Sequence, residues 1–194
     1  MIQYLWENIL KKKRSENDVF SFLKKSFLFK DLSNKEIDFL SQLVHVRHFE
    51  AGEKIFKQGD PGVGMYLILN GTVDIIMHDP SVEIKPSESQ EVFITRLEAG
   101  DFFGELSLIE EPSFRSASSI SQTRSCLIGF FKPDLLQVIQ RNPLTGNKIS
   151  LRLAEILGKR LRETTEKVTE LYIEVNHLKK DPAGTASSEK HFTS

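Results

Sequence analysis

The sequence predicts an α+β chain, with helices first, antiparallel strands through the middle and one long helix near the end. Apolar residues recur at three- and four-residue spacing up to Leu43, and the period then changes to two across the middle of the chain. Helical spacing returns from Lys132 onward, and clusters of Gly, Pro and Asp punctuate the alternating part.

Between Met1 and Arg14, Ile2, Leu5, Trp6, Ile9 and Leu10 share one helical face ahead of the basic run "KKKR", so an amphipathic helix is expected there. Packing on its own protein is the plain role for such a face; a membrane-surface or partner helix is the sharper one, suggested by Trp beside basic residues. "DVFSFLKK" continues in helical spacing. Ser33 and Glu36 have the spacing of a capping box, opening a helix that holds Ile37, Leu40 and Leu43.

The segments "LVHVRHF", "EKIFKQ", "MYLILNGTVDIIMHD", "EVFITRL" and "SCLIGF" read as antiparallel strands. Asn70-Gly71 predicts a tight type I′ hairpin, because both turn positions need positive φ and Asn-Gly supplies them. Tyr66, Ile68, Val73 and Ile75 then fall on one face, which gives the sheet an inside. The polar stretch from His78 to Gln90 is expected to be a long exposed connection without chemistry.

"KPDLLQVIQRNP" is helical, with Pro133 suited to a first turn, and a long helix follows from about Leu144 to Lys180. Along it Ala154, Leu161, Val168 and Val175 form one heptad series and Leu157, Thr164, Leu171 and Leu178 the other. β-branched residues in the first series and Leu in the second favour a parallel two-stranded coiled coil, so a homodimer through residues 154–178 is expected, with Glu174 placed to meet the partner's Lys179. A single buried amphipathic helix is the alternative. The Gly-, Ser- and Thr-rich tail over 181–194 is expected to be disordered.

Composition excludes several classes of function. Lys and Arg number 26 against 27 Asp and Glu, so no global basic field holds a nucleic-acid backbone, and DNA is not an expected partner. The apolar runs fall far short of the roughly 20 residues that span a bilayer, no signal-peptide core opens the chain, and a cytoplasmic location is expected. The single cysteine, Cys126, sits in the apolar run "SCLIGF" and reads as a small hydrophobe. "GDPGVG" at Gly59 to Gly64 lacks the spacing of a dinucleotide loop and reads as a plain loop. His45 and His48 fall on opposite faces of a strand, so no metal is expected, and no triad or paired carboxylate nominates a catalyst.

"GDFFGELSLIEEPSFRSAS", Gly100 to Ser118, sets Glu105 ten residues before Arg115. "FFGELSL" places a Gly-Glu corner at the start of a short helix after a strand, where the free N–H groups of Leu106 and Ser107 would face an anion. Arg115 supplies the formal charge, and Glu105, which would repel a phosphate, is suited to accept a hydrogen bond from a sugar hydroxyl. Residue types alone equally allow an internal Glu105–Arg115 salt bridge.

The segments "GEKIFKQGD", "YLILNGTVDI", "GDFFGELSL" and "RSAS" together resemble the cyclic-nucleotide-binding domain family, over Leu32 to about Lys180. Gly52, Gly59, Gly71, Gly100 and Gly104 fall at that family's turn positions. The resemblance is strongest to the bacterial cAMP receptors, in which the same interval separates Glu from Arg before "RSA". It implies an antiparallel β-roll, a double-stranded β-helix of jelly-roll type, over residues 32–143. A helical extension over 1–31 would precede the roll and a dimerisation helix over 144–180 would follow it. It implies that the cassette of Gly104, Glu105, Leu106, Ser107, Arg115, Ser116 and Ala117 binds ribose and cyclic phosphate, with Ile75, Ile94 and Leu97 as apolar walls. Arg160 matches a basic helix residue that pairs with Glu105, and Thr164 with the second chain's Thr165 would read the adenine amino group. Ser107 departs from the family's usual Ala or Gly at that position. Four extra residues lengthen the entry to the long helix around 144–150, and no helix-turn-helix follows it within this sequence. The expectation is a bacterial, dimeric, non-catalytic cAMP sensor that signals through an unidentified protein effector. cGMP binding, regulation of an enzyme in trans, and a scaffolding dimer that lost its ligand are the alternatives.

Overall fold

The computed structural model describes residues 18–78 and 91–180. The expected helix over 1–14, the polar connection over 79–90 and the tail over 181–194 lie outside the described residues. Helix α1 (18–25) and a 3-10 turn, Phe27–Phe29, lead into α2 (Asn34–Ser41). Eight strands follow: β1 (His45–Phe49), β2 (Lys54–Phe56), β3 (Gly64–Asn70), β4 (Val73–His78), β5 (Glu91–Leu97), β6 (Phe102–Phe103), β7 (Ser118–Ser121) and β8 (Ser125–Phe131). Helices α3 (Lys132–Arg141) and α4 (Pro143–Lys180) complete the order.

The strands form two antiparallel four-stranded sheets, β1-β8-β3-β6 and β2-β7-β4-β5, so the expected α+β roll is what forms. Only β4 and β5 are consecutive strands that pair with each other; every other consecutive pair changes sheet. Asn70-Gly71 is one of these crossings, which corrects the predicted hairpin: β3 and β4 lie in different sheets, and only Gly71 has positive φ, at 97°. A Cβ on Gly71 would lie 2.2 Å from Ser125 Oγ, so the glycine serves a close approach as well as a corner. Strands β6 and β7 were not expected, because two residues show no period and "SSIS" lacks alternating apolar residues.

The shared core joins residues from both sheets. Ile68, Val73, Phe103 and Leu127 are buried, with Phe49, Phe56, Tyr66, Ile75 and Leu97 packed against them, so the predicted inward face of Tyr66, Ile68, Val73 and Ile75 is observed. The opposite face of β3 and β8 is also dry, since Met65, Leu67, Ile128 and Phe130 are fully buried. Phe29 meets Phe130 edge-to-face at 5.9 Å, which places the N-terminal helical segment over that face. Each such side chain contributes about 2 kcal/mol by leaving water. On β4 and β5, Arg96 grips Asp74 through two hydrogen bonds of 2.6 and 2.8 Å, pinning the cross-strand register. Cys126 is half-buried rather than buried, and that burial pushes its thiol pKa up.

Helix α2 opens with the predicted capping box: Glu36 N–H donates to Ser33 Oγ at 3.4 Å and Ser33 N–H to Glu36 Oε2 at 2.6 Å. Glu36 also accepts from Thr145 at 2.6 Å and from Lys148 at 2.8 Å, so one carboxylate ties α2 to the first turns of α4. Pro133 occupies the first turn of α3 as expected. By compactness the chain divides into Met1–Arg152 and Leu153–Ser194. In the second unit Leu153 and Ile156 are buried, while Leu161, Val168, Leu171, Val175 and Leu178 are exposed.

Burial pushes the Glu36 carboxyl upward, but hydrogen bonds from Lys148, Thr145 and Ser33 outweigh it and lower its pKa from 4.5 to about 2. A depressed carboxylate adds stability above its unfolded pKa and loses it as pH falls toward the folded one. Glu36→Gln is therefore expected to lower the thermal midpoint at pH 7 by about 2–4 °C. Melting curves taken from pH 7 to pH 2 should show the gap to wild type closing between about 4.5 and 2.

Candidate functional site

The site begins where β6 ends. Gly104 takes a left-handed conformation (φ 78°, ψ 16°) and turns the chain into a single 3-10 turn, Glu105–Leu108. A Cβ on Gly104 would stand 2.4 Å from Arg115 Nη1, so this residue is fixed by its conformation and by the space the guanidinium needs. Within the turn Ser107 N–H already donates to Gly104 O at 3.2 Å. This corrects the expectation of a helix start with both Leu106 and Ser107 N–H groups free. A four-residue 3-10 turn consumes its donors sooner than an α-helix does.

Arg115 reaches this turn from the far end of the cassette. Its backbone is clamped to "GDPGVG": Arg115 N–H donates to Asp60 O at 2.9 Å, Gly59 N–H to Arg115 O at 2.8 Å and Gly62 N–H to Ser113 O at 2.9 Å. The segment read from sequence as a plain loop thus carries the backbone frame of the candidate anion ligand. Arg115 is 6% exposed and Glu105 5%, so both charges are buried. The guanidinium donates through Nη1 to Gly104 O at 3.3 Å and to Ser107 Oγ at 3.2 Å. Its carbon lies 4.0 Å over the Phe56 ring, a cation–π contact in a desolvated setting.

Nε of Arg115 is buried and has no hydrogen-bond partner. Burial drives the Arg115 pKa below its ordinary value, and the fields of Tyr66, Asp60 and Glu105 offset part of that fall. The side chain stays cationic at neutral pH. Chemically the arrangement is a buried cation with an unpartnered Nε, beside a buried carboxylate, which suits a ligand carrying both an anionic oxygen and a hydroxyl.

The other predicted residues fall into two groups. Ser116 is exposed and Ala117 half-buried at the end of the cassette. Ile75 and Leu97 pack on the core, whereas Ile94 is 49% exposed and sits at the bulge of edge strand β5, opposite the step from Ile75 to Ile76. Arg160, Thr164 and Thr165 belong to the second compact unit. There the Thr164 and Thr165 hydroxyls each donate at 2.8 Å to the carbonyls of Arg160 and Leu161. Sequence reasoning missed Phe56, Gly62 and Ser113. Gly62 leaves the space that Ser107 fills, since a Cβ on Gly62 would lie 2.1 Å from Ser107 Oγ.

Among the described residues no group of three or more His, Cys, Asp or Glu could hold a metal ion, and no helix is long and apolar enough to cross a membrane.

Comparison with known proteins identifies the family and the fold. Residues 46–142 match the family model for the cyclic nucleotide-binding domain. The cyclic AMP receptor protein of Thermus thermophilus is 34% identical over 141 residues, covering 73% of this chain and 60% of that protein. The crystal structure of Thermus thermophilus catabolite activator protein superposes with a TM-score of 0.65 at 32% identity, over 77% of this chain and 64% of the other. A cyclic nucleotide-binding domain from Methylobacillus flagellatus gives 0.66 at 27% identity, over 81% and 84%. The chain spans 60% of the length of the Thermus receptor and 55% of the transcriptional regulator of Salmonella typhimurium that it also matches. The chain belongs to the cyclic nucleotide-binding domain family.

Proposed function

We propose that this chain is a non-catalytic cyclic-nucleotide sensor whose ligand is cAMP and whose output is a protein contact. The buried Arg115 with its unpartnered Nε carries this reading. An unmet buried donor costs about 1–3 kcal/mol, which an arriving phosphate oxygen recovers. At about 4 Å in a partly shielded site the charge attraction adds roughly 4 kcal/mol before desolvation is subtracted. Arg115 takes the cyclic phosphate, Glu105 the ribose hydroxyl, and Ser116 adds a contact to the phosphate.

The base preference rests on the threonines. Each hydroxyl of Thr164 and Thr165 donates its one proton to the helix, so its oxygen presents lone pairs and accepts. An acceptor suits the amino group of adenine and opposes the carbonyl that guanine carries at the corresponding position. The exposed heptad residues Leu161, Val168, Leu171, Val175 and Leu178 support a second copy of the chain as the cover of that stripe.

Calorimetry on the full chain tests these assignments. Wild type should bind cAMP, and Arg115→Ala should weaken it by more than about 100-fold while the chain still folds, as circular dichroism would show. No heat with cAMP or cGMP would instead favour a scaffolding dimer that kept the fold, and tighter binding of cGMP would overturn the base assignment. The double variant Thr164→Val, Thr165→Val should lower the preference for cAMP over cyclic inosine monophosphate about tenfold. Sedimentation should show a dimer that Leu171→Lys converts to monomer.

A further inference from the structure

Nη1 of Arg115 is committed to the protein, and the side chain that commits it is that of Ser107. Ser107 is 2% exposed, so its hydroxyl must find partners inside the protein. Its oxygen accepts from Arg115 Nη1 at 3.2 Å and from Ser113 Oγ at 3.0 Å. Gly62 closes the other side: a Cβ there would come 2.1 Å from Ser107 Oγ and 2.9 Å from Ser113 Oγ. The three residues come from separate stretches, the loop before β3, the 3-10 turn and the segment leading to β7, and they meet at the Ser107 hydroxyl, which holds one guanidinium nitrogen.

We infer that Ser107, held by Ser113 in the space left by Gly62, is a positioning residue that fixes the Arg115 guanidinium before any ligand arrives. With Nη1 anchored to Ser107 Oγ and Gly104 O, the guanidinium is held in one orientation while its Nε remains without a protein partner. The gain is preorganisation: less side-chain freedom is left to lose on binding. Ser113 acts only through Ser107, so its removal matters less and adds nothing once Ser107 is gone. This inference rests on Arg115 being the phosphate ligand.

Two measurements on the full chain separate the inference from that reading. In the ligand-free protein, the Arg115 Nε–H resonance, assigned by its loss in Arg115→Lys, should be sharp and slow to exchange with water. Ser107→Ala should raise that exchange about tenfold and Gly62→Ala at least as much, while the melting profile of Ser107→Ala stays near wild type. An Arg115 signal unchanged in Ser107→Ala overturns the inference whether or not nucleotide binds. Calorimetry with cAMP should show binding weakened about tenfold by Ser107→Ala, about threefold by Ser113→Ala, and no further by the double variant than by Ser107→Ala alone. Strictly additive losses, or equal binding by Ser107→Ala and wild type, overturn it too. Absence of cAMP binding by wild type defeats the assignment of Arg115 as phosphate ligand and leaves the resonance measurement to decide the role of Ser107.

Discussion

A guanidinium that is 6% exposed has lost most of its water, and the local structure is arranged around replacing it. Burying a cation is costly unless its donors are met and an opposite field is near. Here Gly104 O and Ser107 Oγ meet one nitrogen, the Phe56 face lies beneath the plane, and the carboxylates of Asp60 and Glu105 supply the opposing field. Nε is buried without a hydrogen-bond partner.

The roll exists to bring these pieces together. Glu105 and Arg115 are close in sequence, but their partners are not. Phe56 comes from β2 and Asp60 and Gly62 from the loop before β3, which reach the cassette because consecutive strands alternate between the two sheets. A meander would have placed β2 and β3 side by side and left no reason for the 59–62 loop to lie along 113–115. Gly104 completes the assembly from within the cassette, since any side chain at that corner would meet Arg115 Nη1.

Much of the fold was legible because it follows from periods. Helical spacing found α2, the capping box and α3, and alternation found six of the eight strands described and the face of Tyr66, Ile68, Val73 and Ile75 that lines the core. The five glycines behind the family resemblance are also the five with positive φ. What failed was pairing. Asn70-Gly71 carries the local signal of a hairpin, yet the choice of sheet for β4 is made by Ser118–Ser121 and Glu91–Leu97, far along the chain, which no local window contains. Strand β7 was invisible because it is nearly all serine, and its burial comes from neighbours rather than from its own hydrophobicity. In the site, Glu105 and Arg115 were legible as an interval, whereas Phe56, Gly62 and Ser113 gained their roles only from the crossings.

Preorganisation also constrains how the proposed sensor would switch. A ligand shifts an equilibrium only by the difference in its affinity for the two states, and a contact of equal strength in both shifts nothing. The anchors on Arg115 lie within the compact unit Met1–Arg152 and are closed by the short loop 59–62, the cassette and Phe56. A phosphate contact built on such an anchor raises affinity in every arrangement of the long helix and so discriminates little among them. The discriminating free energy has to come from contacts that one arrangement makes and another lacks. The threonine hydroxyls of α4 are suited to that part, because their protons are already held by the helix and their free lone pairs move with it. In the proposed sensor, phosphate recognition would rest on Arg115 and switching on contacts that only one arrangement of the long helix makes, so the two tasks would fall to different residues.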